Sequence, residues 1–256
     1  MTLGRTAGGG FSDSAAAYAA TMAPSVRVMA ERVVARAGLE PGEAVLDVGT
    51  GTGTAAGLAR GGRRRIVGVD SAPGMLAIAR RELPELSWVH AAFEAMPFDD
   101  ATFDVVLAVH ALLFAADPVA ALSEWRRVTR PGGRLSLSVP GPAEVVPASI
   151  LRPVFERHGI RRETEYPRPG ELVAWASAAG WDAIDGEADP TTAIVLDDEA
   201  AFQAWLSVGA RGRATDGWDE ARRDALVDDL AAVTPRDSAG RFRLPFGTLY
   251  LTARKA

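Results

Sequence analysis

The chain has 256 residues, 48% of them hydrophobic, and a net charge of −5. That size and apolar content suit one large domain with a sizeable core, and an acidic chain without a basic block argues against a nucleic-acid partner. There is no cysteine, which excludes disulfides, thiolate nucleophiles and cysteine-held metals, and Lys255 is the only lysine, which argues against lysine chemistry.

Residues 1–10 are rich in Gly and Thr and read as a flexible arm, leaving 11–256 as a single domain. From Ser14 to Ala37 the spacing predicts one helix, because Tyr18, Met22, Val26, Met29 and Val33 recur at three and four. Gly38 stops it and Pro41-Gly42 turns the chain. Strands and helices then alternate. Ala44–Val48, Ile66–Val69, Leu86–His90, Phe103–Val109 and Arg134–Val139 read as strands. Thr54–Arg60, Pro73–Leu83 and Val119–Thr129 read as the helices between them. Such alternation implies a parallel sheet covered on both faces.

After Val139 the texture changes. Pro140, Pro142, Pro147, Pro153, Pro167 and Pro169 punctuate a less regular stretch. Glu171–Ala179 reads as a helix and Trp181–Leu196 as holding a sixth strand. Glu199–Val208 and Asp219–Val233 read as two further helices, and Arg241–Arg254 as the closing strand. No apolar run reaches the roughly 18–20 residues a membrane span needs. Arg5 is followed by glycines and polar residues rather than a leader's apolar core, so the expected location is the cytoplasm.

The informative stretch is Val45-Leu46-Asp47-Val48-Gly49-Thr50-Gly51-Thr52-Gly53, followed by Ile66-Val67-Gly68-Val69-Asp70. A strand enters a glycine turn that opens a helix, and the next strand ends on a carboxylate. That is the layout of a nucleotide pocket: glycines let the backbone approach the ligand and the acid takes a ribose diol. A nicotinamide dinucleotide is one candidate, since Gly51-x-Gly53-x-x-Ala56 fits the relaxed fingerprint. Three features weigh against it. A long helix precedes the first strand, Asp47 puts an extra carboxylate where a pyrophosphate would lie, and no second mononucleotide half is evident.

Val45–Gly53 resembles motif I of the class I methyltransferases that use S-adenosylmethionine. Ala91–Phe98, with Asp99, Phe103 and Asp104, is similar to the segment lining the adenine in that family, and Arg130-Pro-Gly-Gly-Arg134 to the turn before its fifth strand. The resemblance covers about residues 40–140 and is nearest to the small-molecule group that includes quinone-pathway C-methyltransferases. It implies an α/β, Rossmann-like sheet of seven mostly parallel strands with the last reversed and helices on both faces. It also implies an N-terminal helical lid and a helical substrate cap at about 197–240. By the resemblance, Gly49, Thr50, Gly51 and Gly53 form the cofactor turn, and Asp47 orients the methionine end. Asp70, with Ser71 and Met75 beside it, holds the ribose. Tyr18 closes over the methionine carboxylate, and Val109 and His110 lie at the cofactor, His110 beside the methionine moiety. The family often has Asp where Ala92 stands, so Phe93 or Glu94 is left to meet the adenine. Each position also has a plainer reading: Asp70 or Ser71 as a helix cap, Asp47 as a structural carboxylate, Phe93 and Tyr18 as core.

His110 follows the fourth strand at the edge where ligands bind in open α/β sheets, and is a candidate base or a pocket wall. The Asp/Asn-Pro-Pro-Tyr signature of DNA and protein amine methyltransferases is absent from Val109–Phe114, which favours a small acceptor. Phe202, Trp205 and Trp218, in the expected cap, are candidates to touch it. Three scattered histidines have no zinc spacing, so no metal is expected. The sequence predicts methyl transfer to an O, C or N nucleophile of a small molecule. A noncatalytic S-adenosylmethionine-binding protein and an NAD-dependent oxidoreductase remain as alternatives.

Overall fold

A computed structural model describes residues 2–3, 9–141, 148–162 and 166–256. Its central sheet has seven strands: β1 (Ala44–Val48), β2 (Arg65–Asp70), β3 (Ser87–His90), β4 (Phe103–Val109), β5 (Thr129–Pro140), β6 (Asp182–Asp189) and β7 (Thr248–Arg254). Their order is β3-β2-β1-β4-β5-β7-β6. β7 runs antiparallel to both neighbours, while β1 to β5 pair in parallel. This is the expected mostly parallel sheet with its last strand reversed.

Burial on both faces follows from the period-two geometry of its strands. Leu46, Val48, Val106, Leu135 and Leu137 pack against Leu122 and Trp125 of the helix Pro118–Val128. Val45, Ile66, Val105 and Leu107 face the other way, onto Val33 and Ala37 of the helix Ala23–Ala37. Each such fully buried aliphatic side chain contributes roughly 1.5–3 kcal/mol. Trp125 spends its single polar group usefully, its indole N–H donating to the Phe93 carbonyl at 3.0 Å.

Several expectations are corrected. The helix expected over Ser14–Ala37 is two, Ala15–Thr21 and Ala23–Ala37, with Met22 between them. Pro24 explains the break, since it has no N–H to extend the first helix through the junction. Of the expected arm, Thr2–Leu3 pairs with Arg161–Arg162 and a short helix begins at Gly9; residues 1 and 4–8 lie outside the described residues, as do Pro142 and Pro147.

Trp181–Leu196 holds the expected sixth strand and a further one as well. It divides at Pro190–Thr192, where the Asp189 carboxylate accepts from the Thr191 N–H at 2.8 Å. β6 lies before that turn; Ala193–Leu196 lies after it, paired with Phe242–Pro245 in a separate two-stranded ribbon. Arg241–Arg254 divides in the same way at Phe246-Gly247. The two breaks meet: the N–H groups of Phe246 and Gly247 donate to the Thr192 carbonyl at 2.8 and 3.2 Å.

The ribbon belongs to a second layer with the helices Glu199–Leu206, Ala210–Ala214, Glu220–Val233 and Ala148–Arg157. Its core joins Leu151, Phe155, Ile194, Phe202, Trp205, Leu230 and Phe242 to Met22 and Val26 of the N-terminal helices. The cap is therefore larger than the insertion expected at 197–240. Pro153 hides the first of its helices from a sequence reading, although Leu151, Val154 and Phe155 mark its apolar side.

Candidate active site

β1 is flanked by β2 on one side and β4 on the other, so the chain order reverses there and a crevice opens beyond the strand ends. Glycines line its floor. A Cβ at Gly49 would sit 2.5 Å from the Ala111 Cβ, and one at Gly53 would sit 2.7 Å from the Trp88 ring, both with positive φ. Gly51 differs: its φ is +56°, yet nothing lies within 4 Å of where its Cβ would be. The first two close the packing, and the third leaves an open backbone cradle.

Two carboxylates stand on either side of this turn. Asp47, only 1% exposed, accepts from the Thr50 hydroxyl at 2.6 Å and from the Ala56 N–H at 3.0 Å, both at Oδ2. Burial outweighs those bonds and pushes its carboxyl up to about 7, with the charge of Asp70 adding to the rise. Asp70 accepts from Gly51 N–H and Ala72 N–H, each at 2.8 Å, so its position is fixed by the glycine turn on one side and the next helix on the other. Burial raises its carboxyl as well, against those backbone bonds. Asp70 does not cap that next helix, Pro73–Glu82: the N-cap is Ala72, with no side-chain cap bond, and Asp70 holds the Ala72 N–H just ahead of the first turn. Ser71 gives its carbonyl to the His90 ring, at 3.1 Å from Nε2.

The N-terminal segment covers this edge. Ser12 Oγ accepts from Gly74 N–H at 3.2 Å, and Ser14 Oγ accepts from Gly209 N–H at 3.1 Å, which ties the segment to the sheet layer and to the cap. Tyr18 lies half-buried near Asp70 and Asp47, whose charges add to the effect of burial in raising its phenol. Met75 is buried with Ala15 and Ala72 beneath Phe11 and Tyr18. The partners Ser12 and Ser14 were missed by sequence reasoning, because a serine near a helix start looks like a cap.

His110 sits one residue past β4 with φ +53°, a left-handed backbone that histidine seldom adopts. Its ring lies tilted against Phe246 with centroids 5.1 Å apart, its backbone N–H donates to the Ser138 carbonyl at 2.9 Å, and its Nε2 is buried without a partner. Burial lowers its pKa to about 3. Val109 packs against the cap core and the sheet core at once.

Other expected residues are less well placed. Ala92 and Glu94 are exposed, while the Phe93 ring turns inward, edge-on to Trp125 at 6.0 Å between centroids. Phe93 is thereby a core residue, not a wall of the crevice. Phe202 is completely buried between Trp205 and Phe242, also in a core role. Trp205 is buried under the Arg211 guanidinium, with its indole N–H unpartnered. Trp218 is partly exposed and covered by Arg222 at 3.8 Å. A cleft of about 870 Å³ lies between the N-terminal segment and the cap, lined by Ser14, Ala17, Leu206, Gly209 and Leu226 among others. Among the described residues no cluster of three His, Asp or Glu side chains could hold a metal, and no helix is long and apolar enough to cross a membrane.

Residues 46–137 match the family model described as a methyltransferase domain. The chain is 31% identical over 170 residues to a demethylmenaquinone methyltransferase of Renibacterium salmoninarum, across 59% of this chain and 72% of that one. It is 29% identical over 247 residues to a trans-aconitate 2-methyltransferase of Azoarcus sp., across 88% of this chain and 92% of the relative. Other curated relatives are matched over as little as 31% of their length. Among solved structures, a phosphoethanolamine N-methyltransferase of Haemonchus contortus superimposes with a TM-score of 0.59 at 18% identity, over 89% of this chain and 52% of that one, a likeness of fold. The turn between β1 and the next helix, the acid closing β2 and the strand order all lie within or around the matched segment, and the chain belongs to the class I, Rossmann-like methyltransferases.

Proposed function

We propose that the protein transfers a methyl group from S-adenosylmethionine to a small-molecule acceptor, as a cytoplasmic enzyme. The observation that carries this reading is the pair Asp47 and Asp70 held by main-chain donors around the open cradle at Gly51. The donor set suits the cofactor. Asp70 would accept from the ribose diol, and Asp47 would face the ammonium of the methionine end. A carboxyl held up to about 7 by burial gains most from an added cation, which favours its charged form. Tyr18, kept as the neutral phenol, is an O–H donor toward the methionine carboxylate. Ala92 has no side-chain acceptor, so the adenine amino group falls to main-chain carbonyls or to Glu94.

When bound, S-adenosylmethionine supplies a methyl group on a sulfonium, whose positive charge already makes it a leaving group. The work left to the protein is to hold an acceptor in line and to exclude water, and such positioning is worth roughly 7 kcal/mol or more. Phe11, edge-on to Phe114 at 5.1 Å, and the two serine bonds hold the N-terminal segment over the crevice. His110 with a pKa near 3 is a weak proton acceptor, so the closed site relies on placement rather than on a strong base.

The test is release of S-adenosylhomocysteine from S-adenosylmethionine on addition of a panel of small phenols, amines and carboxylic acids. Acceptor-dependent release supports the reading. Binding of S-adenosylmethionine with no release for any acceptor class would favour a noncatalytic binding protein.

A further inference from the structure

A cavity of about 430 Å³ lies at the opposite end of the sheet from the crevice, lined by Arg36, Gly38, Gly132, Arg134, Ala183 and Arg254 among others. Gly38 precedes β1, Arg134 stands where β5 joins the parallel ladder, and Arg254 ends the antiparallel β7. Three guanidinium groups, from one helix and two strands, thus share one space, and the only carboxylate in the described lining is the exposed Glu40. Two of the three are already paired. Arg36 binds Asp185 and Glu187, each at 2.7 Å. Arg134 binds Glu43 at 2.7 Å and donates to the Ala37 and Gly38 carbonyls, which covers the negative end of the helix Ala23–Ala37. Arg254 is different: it is exposed and has no ion pair or hydrogen bond among the described residues. Its register partner on β6 is Asp182, but that carboxylate accepts from the Ala256 N–H at 3.3 Å instead. Its register partner on β5 is Arg134, so two like charges stand directly opposite each other on neighbouring strands, an unfavourable pairing when nothing negative lies between them. Ala183, also in the lining, has φ +45° where the pairing of β6 with β7 slips between Thr252 and Arg254, and such bulges re-aim side chains beside sites.

We propose that this cavity binds a phosphate group, with Arg254 as its principal donor and Arg134 and Arg36 as flanking charges. A guanidinium presents a planar fork of N–H groups that matches two phosphate oxygens, and the fork of Arg254 is unused. A phosphate dianion placed beside Arg254 also offsets the repulsion between Arg254 and Arg134, to which chloride or a single carboxylate brings half the charge. The site is independent of the methyl-transfer reading, since it shares no residue with the crevice. Inorganic phosphate and the phosphate of an ester offer the same chemistry, and the cavity has room for either.

The probes are inorganic phosphate and glycerol phosphate, each titrated calorimetrically into the full chain with ionic strength held constant by sodium chloride. Wild type is expected to bind at least one of them with a millimolar or tighter Kd, and Arg254→Gln should weaken that binding by about tenfold or more. Tighter binding of the ester would show that an organic body fills the rest of the cavity. Tighter binding of inorganic phosphate would show that the head group alone is the ligand, and either result supports the site. In phosphate-free buffer Arg254→Gln should melt no lower than wild type, because the neutral side chain relieves the repulsion from Arg134. Added phosphate should then raise the melting temperature of wild type more than that of the variant. Replacing a residue with a purely structural role would lower the melting temperature and leave its response to phosphate unchanged. The proposal is overturned if wild type binds neither probe, if Arg254→Gln binds them as tightly as wild type, or if phosphate competes with S-adenosylhomocysteine, which would place it in the crevice.

Discussion

Asp70 is fixed before any ligand arrives. Its two oxygens are each held by a backbone N–H at 2.8 Å, one from the glycine turn and one from the start of the helix Pro73–Glu82. Asp70→Ala therefore removes a preset acceptor pair and is expected to weaken S-adenosylhomocysteine binding by tenfold or more, measured by calorimetry, while the circular dichroism spectrum is kept. Asp47 makes a pH prediction. Its carboxyl in the native chain holds a proton up to about 7, whereas an unfolded aspartate releases it near 3.8. The native state thus binds more protons across that window, and stability falls as pH rises through it. Asp47→Asn has no proton to lose there. Urea unfolding at a series of pH values should show the variant gaining on wild type from about pH 4 to about pH 7, and a constant difference would contradict the buried-carboxyl account. The glycine turn and both acids were readable in the sequence because their spacing is tied to strand and turn geometry. The inward turn of Phe93 was not, since a lone aromatic after a short strand has no pattern that says which way it faces.

At the scale of elements, the N-terminal segment acts through close backbone approach. A Cβ at Gly74 would lie 2.3 Å from the Ser12 carbonyl oxygen. In an exposed helix interior Gly→Ala stabilises by about 1 kcal/mol. Gly74→Ala is expected to do the opposite, lowering the melting temperature and speeding release of S-adenosylhomocysteine in stopped-flow measurements, because the segment must lift. A more stable variant with unchanged release would show that the segment does not cover the site. The outer edge of the sheet is held differently. β6 is acidic and largely exposed, and Arg32 and Arg36 of the helix Ala23–Ala37 bond to Asp185, Glu187 and Asp189 on it. Arg36→Ala should destabilise the chain by about 1 kcal/mol in denaturant, less at high salt. The alternating elements from Ala44 to Val139 were legible, since each buried strand is an apolar run bounded by turn residues. The second strand after Thr192 was missed although Asp189-Pro190-Thr191 is a turn signal in its own right, and the break at Phe246-Gly247 was missed because Phe242–Pro245 and Thr248–Arg254 both carry buried residues and read as one strand.

The whole molecule is two layers meeting at one edge. The parallel sheet presents Asp47, Gly51 and Asp70 at its strand ends, and the cap with its separate core closes over His110 through Phe246. The extent of the cap was beyond the sequence, because its core is assembled from segments far apart in the chain, Met22 and Val26 joining Leu151, Trp205 and Phe242. No local period reports such contacts. The central claim is that the crevice at Gly51 takes S-adenosylmethionine and not a dinucleotide, and the measurement that tests it most directly is calorimetric titration of the purified protein with S-adenosylhomocysteine, with NAD in parallel. Micromolar binding of S-adenosylhomocysteine alone is the predicted result. Binding of NAD alone would contradict the account, reassign Asp70 to a dinucleotide ribose and leave Asp47 without the cation it is placed to meet.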